Sequence, residues 1–138
     1  MVQDWQRKID RWREHASKLV RHQQEENRMK AVYVAGPFRA KSRWEVFKNK
    51  YQALSAGLVV WKLGGVPLIP HCLGYDIEWE IPDEMALAGV MELMRRCDAV
   101  YVIGRSKGVD AEVDEADRLK IPVFNDFVQL GMFLKGQT

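Results

Sequence analysis

Apolar side chains recur along this chain in two rhythms. From Lys30 onward, short apolar runs rich in β-branched residues alternate with longer amphipathic stretches. The runs Ala31 to Ala35, Val66 to Ile69, Ala99 to Ile103 and Pro122 to Phe124 predict buried strands of the kind found in parallel sheets. The stretches between them predict helices. In the first, Ser42 and Glu45 make a capping box, Phe47, Tyr51, Leu54, Leu58 and Trp61 predict the buried face, and Gly64 or Gly65 ends the helix. A second begins after Pro82, with Met85, Ala88, Met91 and Met94 inward as core filler. A third runs from about Val109 to Leu119, with Val113, Ala116 and Leu119 inward, and a last one covers about Asp126 to Leu134. Strand and helix in regular alternation predict a parallel sheet with helices on both faces.

Ahead of this region, Asp4 to Arg28 predicts one long helix whose Trp5, Ile9, Trp12, Ala16 and Leu19 form a single apolar stripe. The chain therefore divides into an amphipathic helix over 1–29 and an α/β domain over 30–138. Residues 1–30 carry eight Lys or Arg against five Asp or Glu. A basic arm touching nucleic acid is one reading of that excess; two tryptophans on one stripe favour packing or an oligomer contact.

Composition narrows the picture in three ways. With 138 residues and 47% apolar content, the chain can bury one real core. A net charge of +2, with acids and bases interleaved, does not point to a polyanion, so nucleic acid is not an expected partner. No run is long and apolar enough to cross a membrane. Cys72 and Cys97 have no metal-like spacing and no secretory leader precedes them, so they read as reduced thiols of a cytoplasmic protein.

In an open parallel sheet, ligands lie beyond the carboxyl ends of the strands. Gly36, Pro37, Phe38 and Arg39 fall there after the first strand, Pro70, His71 and Cys72 after the second, and Gly104 to Gly108 after the third, leading to Glu112. Together they could hold a phosphate and attack a carbon beside it. Each also has a plain reading: turn glycines, a solvated arginine, a structural histidine, a first-turn acid. Glu112, placed near the positive end of a helix dipole, is expected to be held ionised, which suits a nucleophile. Glu92, Asp83, Glu84 and His71 fall within reach of the same crevice, and the loop from Leu73 to Ile81 carries Tyr75 and Trp79, which could line it or pack beneath the loop.

The segment Val32-Tyr33-Val34-Ala35-Gly36-Pro37-Phe38-Arg39, followed by Asp98-Ala99-Val100 and then by Ser106, Gly108, Glu112 and Ala116, resembles the nucleoside 2-deoxyribosyltransferase superfamily. Nearest in pattern are its 2'-deoxynucleoside 5'-monophosphate N-glycosidases and a related phage and bacterial branch of unknown function. The resemblance covers about Lys30 to Phe124. It implies a three-layer Rossmann-like or flavodoxin-like sheet of four to five strands in the order 2-1-3-4, with the amino-terminal helix as an addition. It also implies that Glu112 is the nucleophile and that Tyr33 orients it. Gly36, Pro37, Phe38, Arg39, Ser106 and Gly108 would then bind the substrate and its phosphate, serine at 106 favouring a nucleotide over a free nucleoside. The aspartate that protonates the departing base in that superfamily falls here on Val90, and His71 is the preferred substitute. The expected activity is hydrolysis of a nucleoside 5'-monophosphate at its N-glycosidic bond, through a covalent ribosyl-glutamate. Base exchange and nucleotide binding without turnover are the alternatives. No cofactor or metal is implied, the partner is a small nucleotide, and a homo-oligomer is expected, with the amino-terminal helix as one route to it.

Overall fold

A computed structural model describes residues 2–25, 28–73 and 81–136. The elements run α1 (Val2–Glu25), β1 (Ala31–Ala35), α2 (Arg43–Lys62), β2 (Val66–Leu68), a 3-10 turn (Pro70–Cys72), α3 (Asp83–Arg95), β3 (Ala99–Val102), α4 (Lys107–Arg118), β4 (Val123–Phe124) and α5 (Phe127–Leu134). The four strands are all parallel, in the order β2-β1-β3-β4, with Val32 opposite Ala99 and Tyr33 opposite both Val100 and Leu68. The fold is therefore the expected three-layer α/β sheet, with four strands.

Alternation along β1 divides the core into two layers. Val32 and Val34 point to one face, where Ala53, Ala56 and Val60 of α2 and Leu130 and Leu134 of α5 cover them. Tyr33 and Ala35 point to the other, against Met94 and Cys97 at the end of α3 and Val109 and Ala116 of α4. Asp98 secures the entry to this sheet. It accepts the Ala31 amide at 2.7 Å and a two-pronged contact from Arg28, which ties the chain leaving α1 to the start of β3.

Helix α2 packs through a different face from the one its aromatic residues suggest. Phe47, Tyr51, Leu54, Leu58 and Trp61 are all exposed, and Ala53, Ala56, Gly57 and Val60 are buried. Both sets recur at helical spacing, and the small-residue set wins because it lets the helix axis approach the sheet closely. A Cβ on Gly57 would stand 2.4 Å from Ile69 Cδ1. The helix ends at Gly64, whose φ of 95° is open to glycine and strained for other residues.

Two other expected inward faces shift. In α3, Met94 is core and Met91 is half-buried, whereas Met85 and Ala88 are exposed because the helix leans its amino-terminal half on a cavity rather than on the sheet. In α4, Val109 and Ala116 are buried and Val113 half-buried, while Leu119 is its exposed carboxyl cap. Trp5, Ile9 and Trp12 of α1 are exposed as well, and α1 contributes to neither core layer. Leu19 lies beside Gly64, where α1 meets the end of α2.

Candidate active site

Two turns at the carboxyl edge of the sheet lock together. A Cβ on Gly36, after β1, would lie 2.7 Å from the Ile103 side chain, and one on Gly104, after β3, would lie 2.8 Å from Pro37. Neither turn could approach the other with a larger residue at these points. Beside them opens a cavity of about 530 Å³. Gly36, Phe38 and Arg39 line one side, and Ser106, Lys107, Gly108 and Glu112 line another. The far wall is α3, through Ala86, Gly89, Val90 and Leu93, with Leu73 and Ile81 near its ends.

Helix α4 begins two residues before the expected start. Ser106 is its amino-terminal cap, and the serine Oγ accepts the Val109 amide at 3.2 Å. Asp110 bonds back to the Ser106 carbonyl, so the amides of Lys107 and Gly108 are the ones left at the helix start, where they favour an anion. The hydroxyl hydrogen of Ser106 remains available to donate. A Cβ on Gly108 would make only ordinary contact, at 3.8 Å from Ser106 Oγ.

The earlier start moves Glu112 into the second turn, away from the positive end of the helix. Burial then dominates, and it pushes the Glu112 carboxyl up to about 7, with Tyr33 pulling the other way. The expectation of a firmly ionised carboxylate is thus corrected: the group titrates near neutrality. Its Oε2 is sealed from water, and hydrogen bonding with the Tyr33 side chain favours the charged form against burial. Tyr33 itself is fully buried in the middle of β1.

The structure brings Glu112, Gly36, Phe38, Arg39, Ser106 and Gly108 to one cavity; Pro37, Tyr33 and His71 stand behind its lining. His71 is 2% exposed, its Nε2–H donates to the Pro37 carbonyl at 3.0 Å, and its ring meets the Phe38 ring edge-on at 5.6 Å. Burial holds it below the usual histidine range. It therefore braces the turn after β1, hydrogen-bonded to the backbone of Pro37 and Gly36. Glu92 is turned away too, paired with Arg95 at 3.2 Å and Arg96 at 3.3 Å. Tyr75 and Trp79 lie outside the described residues.

Several lining residues carry no sequence motif. Arg39 meets Asp83 at 2.7 Å across the cavity mouth, and the guanidinium holds the Asp83 carboxyl below its ordinary range. The two residues are far apart in the chain, so only the fold reveals the pair. The α3 wall had a usable signal: Ala86, Val90 and Leu93 fall on one helical face. Among the described residues, no group of three or more His, Cys, Asp or Glu side chains could hold a metal ion. No described helix is long and apolar enough to cross a membrane.

An all-parallel, doubly wound sheet with its cavity beyond the strand ends defines an α/β domain of the crevice-binding class. The chain belongs to the family described as Domain of unknown function (DUF7768), whose model matches residues 30–126. That span runs from the residue before β1 to the cap of α5 and leaves α1 outside. No curated protein matches the chain.

Proposed function

We propose that the protein hydrolyses the N-glycosidic bond of a nucleoside 5'-monophosphate, with Glu112 attacking the anomeric carbon. The observation that carries this reading is a partly buried carboxylate beside Tyr33, set in the same cavity as an anion-ready helix start. Ser106 and the Lys107 and Gly108 amides receive the phosphate, and Arg39 joins them by exchanging its contact with Asp83. The sugar then lies over Glu112, and the base faces α3. Departure of the base leaves a ribosyl-glutamate, which water resolves.

Incubation with ribo- and deoxyribonucleoside monophosphates, followed by chromatography for free base, tests the proposal. Release by the wild type that is lost in Glu112→Gln supports it; no release from any nucleotide refutes it. Val90 favours one other reading, a pocket that binds nucleotides without turnover. Calorimetry with those nucleotides separates the two, because that reading requires binding that survives Glu112→Gln.

A homo-oligomer belongs to the same proposal. Trp44, Phe47, Tyr51, Leu54, Leu58 and Trp61 leave 44–64% of their surfaces exposed along one face of α2. That is on the order of 600 Å² of apolar area, at the upper end for a monomer and close to one side of a standard interface. A second copy is the occupant whose seam would match it. Cys72 and Cys97 are free thiols, in keeping with a reducing, cytoplasmic setting.

A further inference from the structure

Helix α1 lies outside the matched family span and contributes to neither core layer, yet its residues are sorted by side. At helical spacing Val2, Trp5, Ile9, Trp12, Leu19 and Val20 fall on one face, with Lys8 along one border and Arg13 along the other. Apart from Leu19 these apolar residues are exposed, and together they present on the order of 500 Å² of surface, a patch of the size that marks an interaction site. The acids Asp4 and Glu14 lie away from the stripe, where Arg7 meets the first at 3.2 Å and Lys18 the second at 3.4 Å.

A second observation adjoins the Lys8 border. Between α1 and the end of α2 opens a cavity of about 340 Å³, lined by Lys8, Arg11, Trp12 and His15 of α1 and by Lys62 of α2. Three cations and a histidine thus surround an indole. The Trp12 and His15 rings meet edge-on at 6.2 Å, and Lys8 Nζ stands 5.3 Å over the Trp5 ring. With Asp4 and Glu14 matched by other cations, positive charge accumulates here, and a phosphate group is the counter-ion that suits it.

We propose that α1 docks the domain on an anionic phospholipid surface. Lipid phosphates enter the basic cavity, and Trp5, Ile9 and Trp12 settle where headgroups meet acyl chains. Lys8 and Arg13 keep their charges at the phosphate plane while their stems extend the apolar face. The helix lies in the plane of the membrane and does not cross it. A second copy of α1 is a poorer occupant, because two such helices laid stripe to stripe bring cationic borders together in either direction. Nucleic acid would satisfy the cavity and leave Val2 and Ile9 in water. The proposal is independent of the glycosidase reading, and it leaves the aromatic face of α2 to a second copy.

The test is co-sedimentation of the full chain with vesicles of phosphatidylcholine alone, or of phosphatidylcholine with about 30% phosphatidylglycerol, at about 0.05 M and about 0.5 M salt. Binding to the anionic vesicles should be at least about tenfold tighter than to the neutral ones, and should weaken at least about tenfold at the higher salt. Ile9→Glu should lose it, because a carboxylate then sits within the stripe. Lys8→Glu combined with Arg11→Glu should remove the preference for anionic vesicles. Melting temperatures of both variants should stay within about 2 °C of the wild type, since neither changes a core residue. Equal affinity for the two kinds of vesicle, binding to neither, or binding that both variants retain unchanged overturns the proposal. So does calorimetric binding of inorganic phosphate or of a single-stranded oligonucleotide by a protein that ignores the vesicles; the first makes the cavity a site for soluble anions, the second a nucleic-acid contact.

Discussion

Replacing Glu112 by glutamine keeps the shape of the side chain and removes its titration. Burial raises the Glu112 carboxyl from 4.5 to about 7 in the folded protein, so the folded state holds this proton at pH values where the unfolded chain has lost it. The sign follows directly. Glu112 costs nothing below about pH 4.5, stability falls as the pH rises from there to about 7, and above that the penalty is full and constant. At about 1.4 kcal/mol per pH unit, the displacement amounts to about 3 kcal/mol. Glutamine carries no charge and escapes it. Thermal melts followed by circular dichroism should therefore show Glu112→Gln unfolding about 10 °C above the wild type near pH 8, with the two converging near pH 4.5. His71, which burial holds below its ordinary value, titrates in both proteins and cancels from their difference. A difference between the two that does not change with pH, or a wild type that is the more stable one near pH 8, would refute the reasoning.

Ser106→Ala should lose about 1 kcal/mol of stability by urea titration, because the cap on α4 goes with the hydroxyl. Ser106→Asp should keep the cap and still weaken nucleoside monophosphate binding in calorimetry, since it sets a second anion beside the phosphate. Gly57→Ala would normally favour a helix interior by about 1 kcal/mol, but its Cβ would meet Ile69 at 2.4 Å. A net loss of about 1–3 kcal/mol is expected, partly recovered by adding Ile69→Val. Phe47→Lys, on the exposed face of α2, should shift sedimentation toward the monomer without lowering the melting temperature by more than about 2 °C.

The sheet was legible because each strand is a short apolar run set between helical stretches, and the parallel topology leaves few ways to arrange them. What periodicity does not reveal is which of two apolar faces turns inward. Helix α2 carries both the large stripe of Phe47, Tyr51 and Leu54 and the small one of Ala53, Ala56 and Gly57, and hydrophobicity ranks the wrong one first. Close approach to the sheet decides between them, and that is a property of the partner surface. The site divides along a similar line. Glu112, Ser106 and Arg39 stand out by position after their strands, yet the charge state of Glu112 depends on where α4 begins. Gly108 looked like part of the turn, although the Ser106 cap places it inside the helix. The Arg39 to Asp83 contact and the apolar wall at Val90 arise from the approach of α3 to the β1 turn, which no local pattern encodes.

Tyr33 is fully buried in the same core layer as Val109 and Ala116, which flank Glu112 on α4. The proposed nucleophile thus stands among the residues that hold the domain together. Exchanging Tyr33, Val109 or Ala116 would disturb folding. The α3 wall is different, since Met94 is the only buried residue of that helix. Exchanges at Ala86, Val90 or Leu93 alter what the cavity accepts at small cost to the fold. Under the proposed function, exchanges on this one helix would change which base is received and leave the layer around Glu112 unaltered.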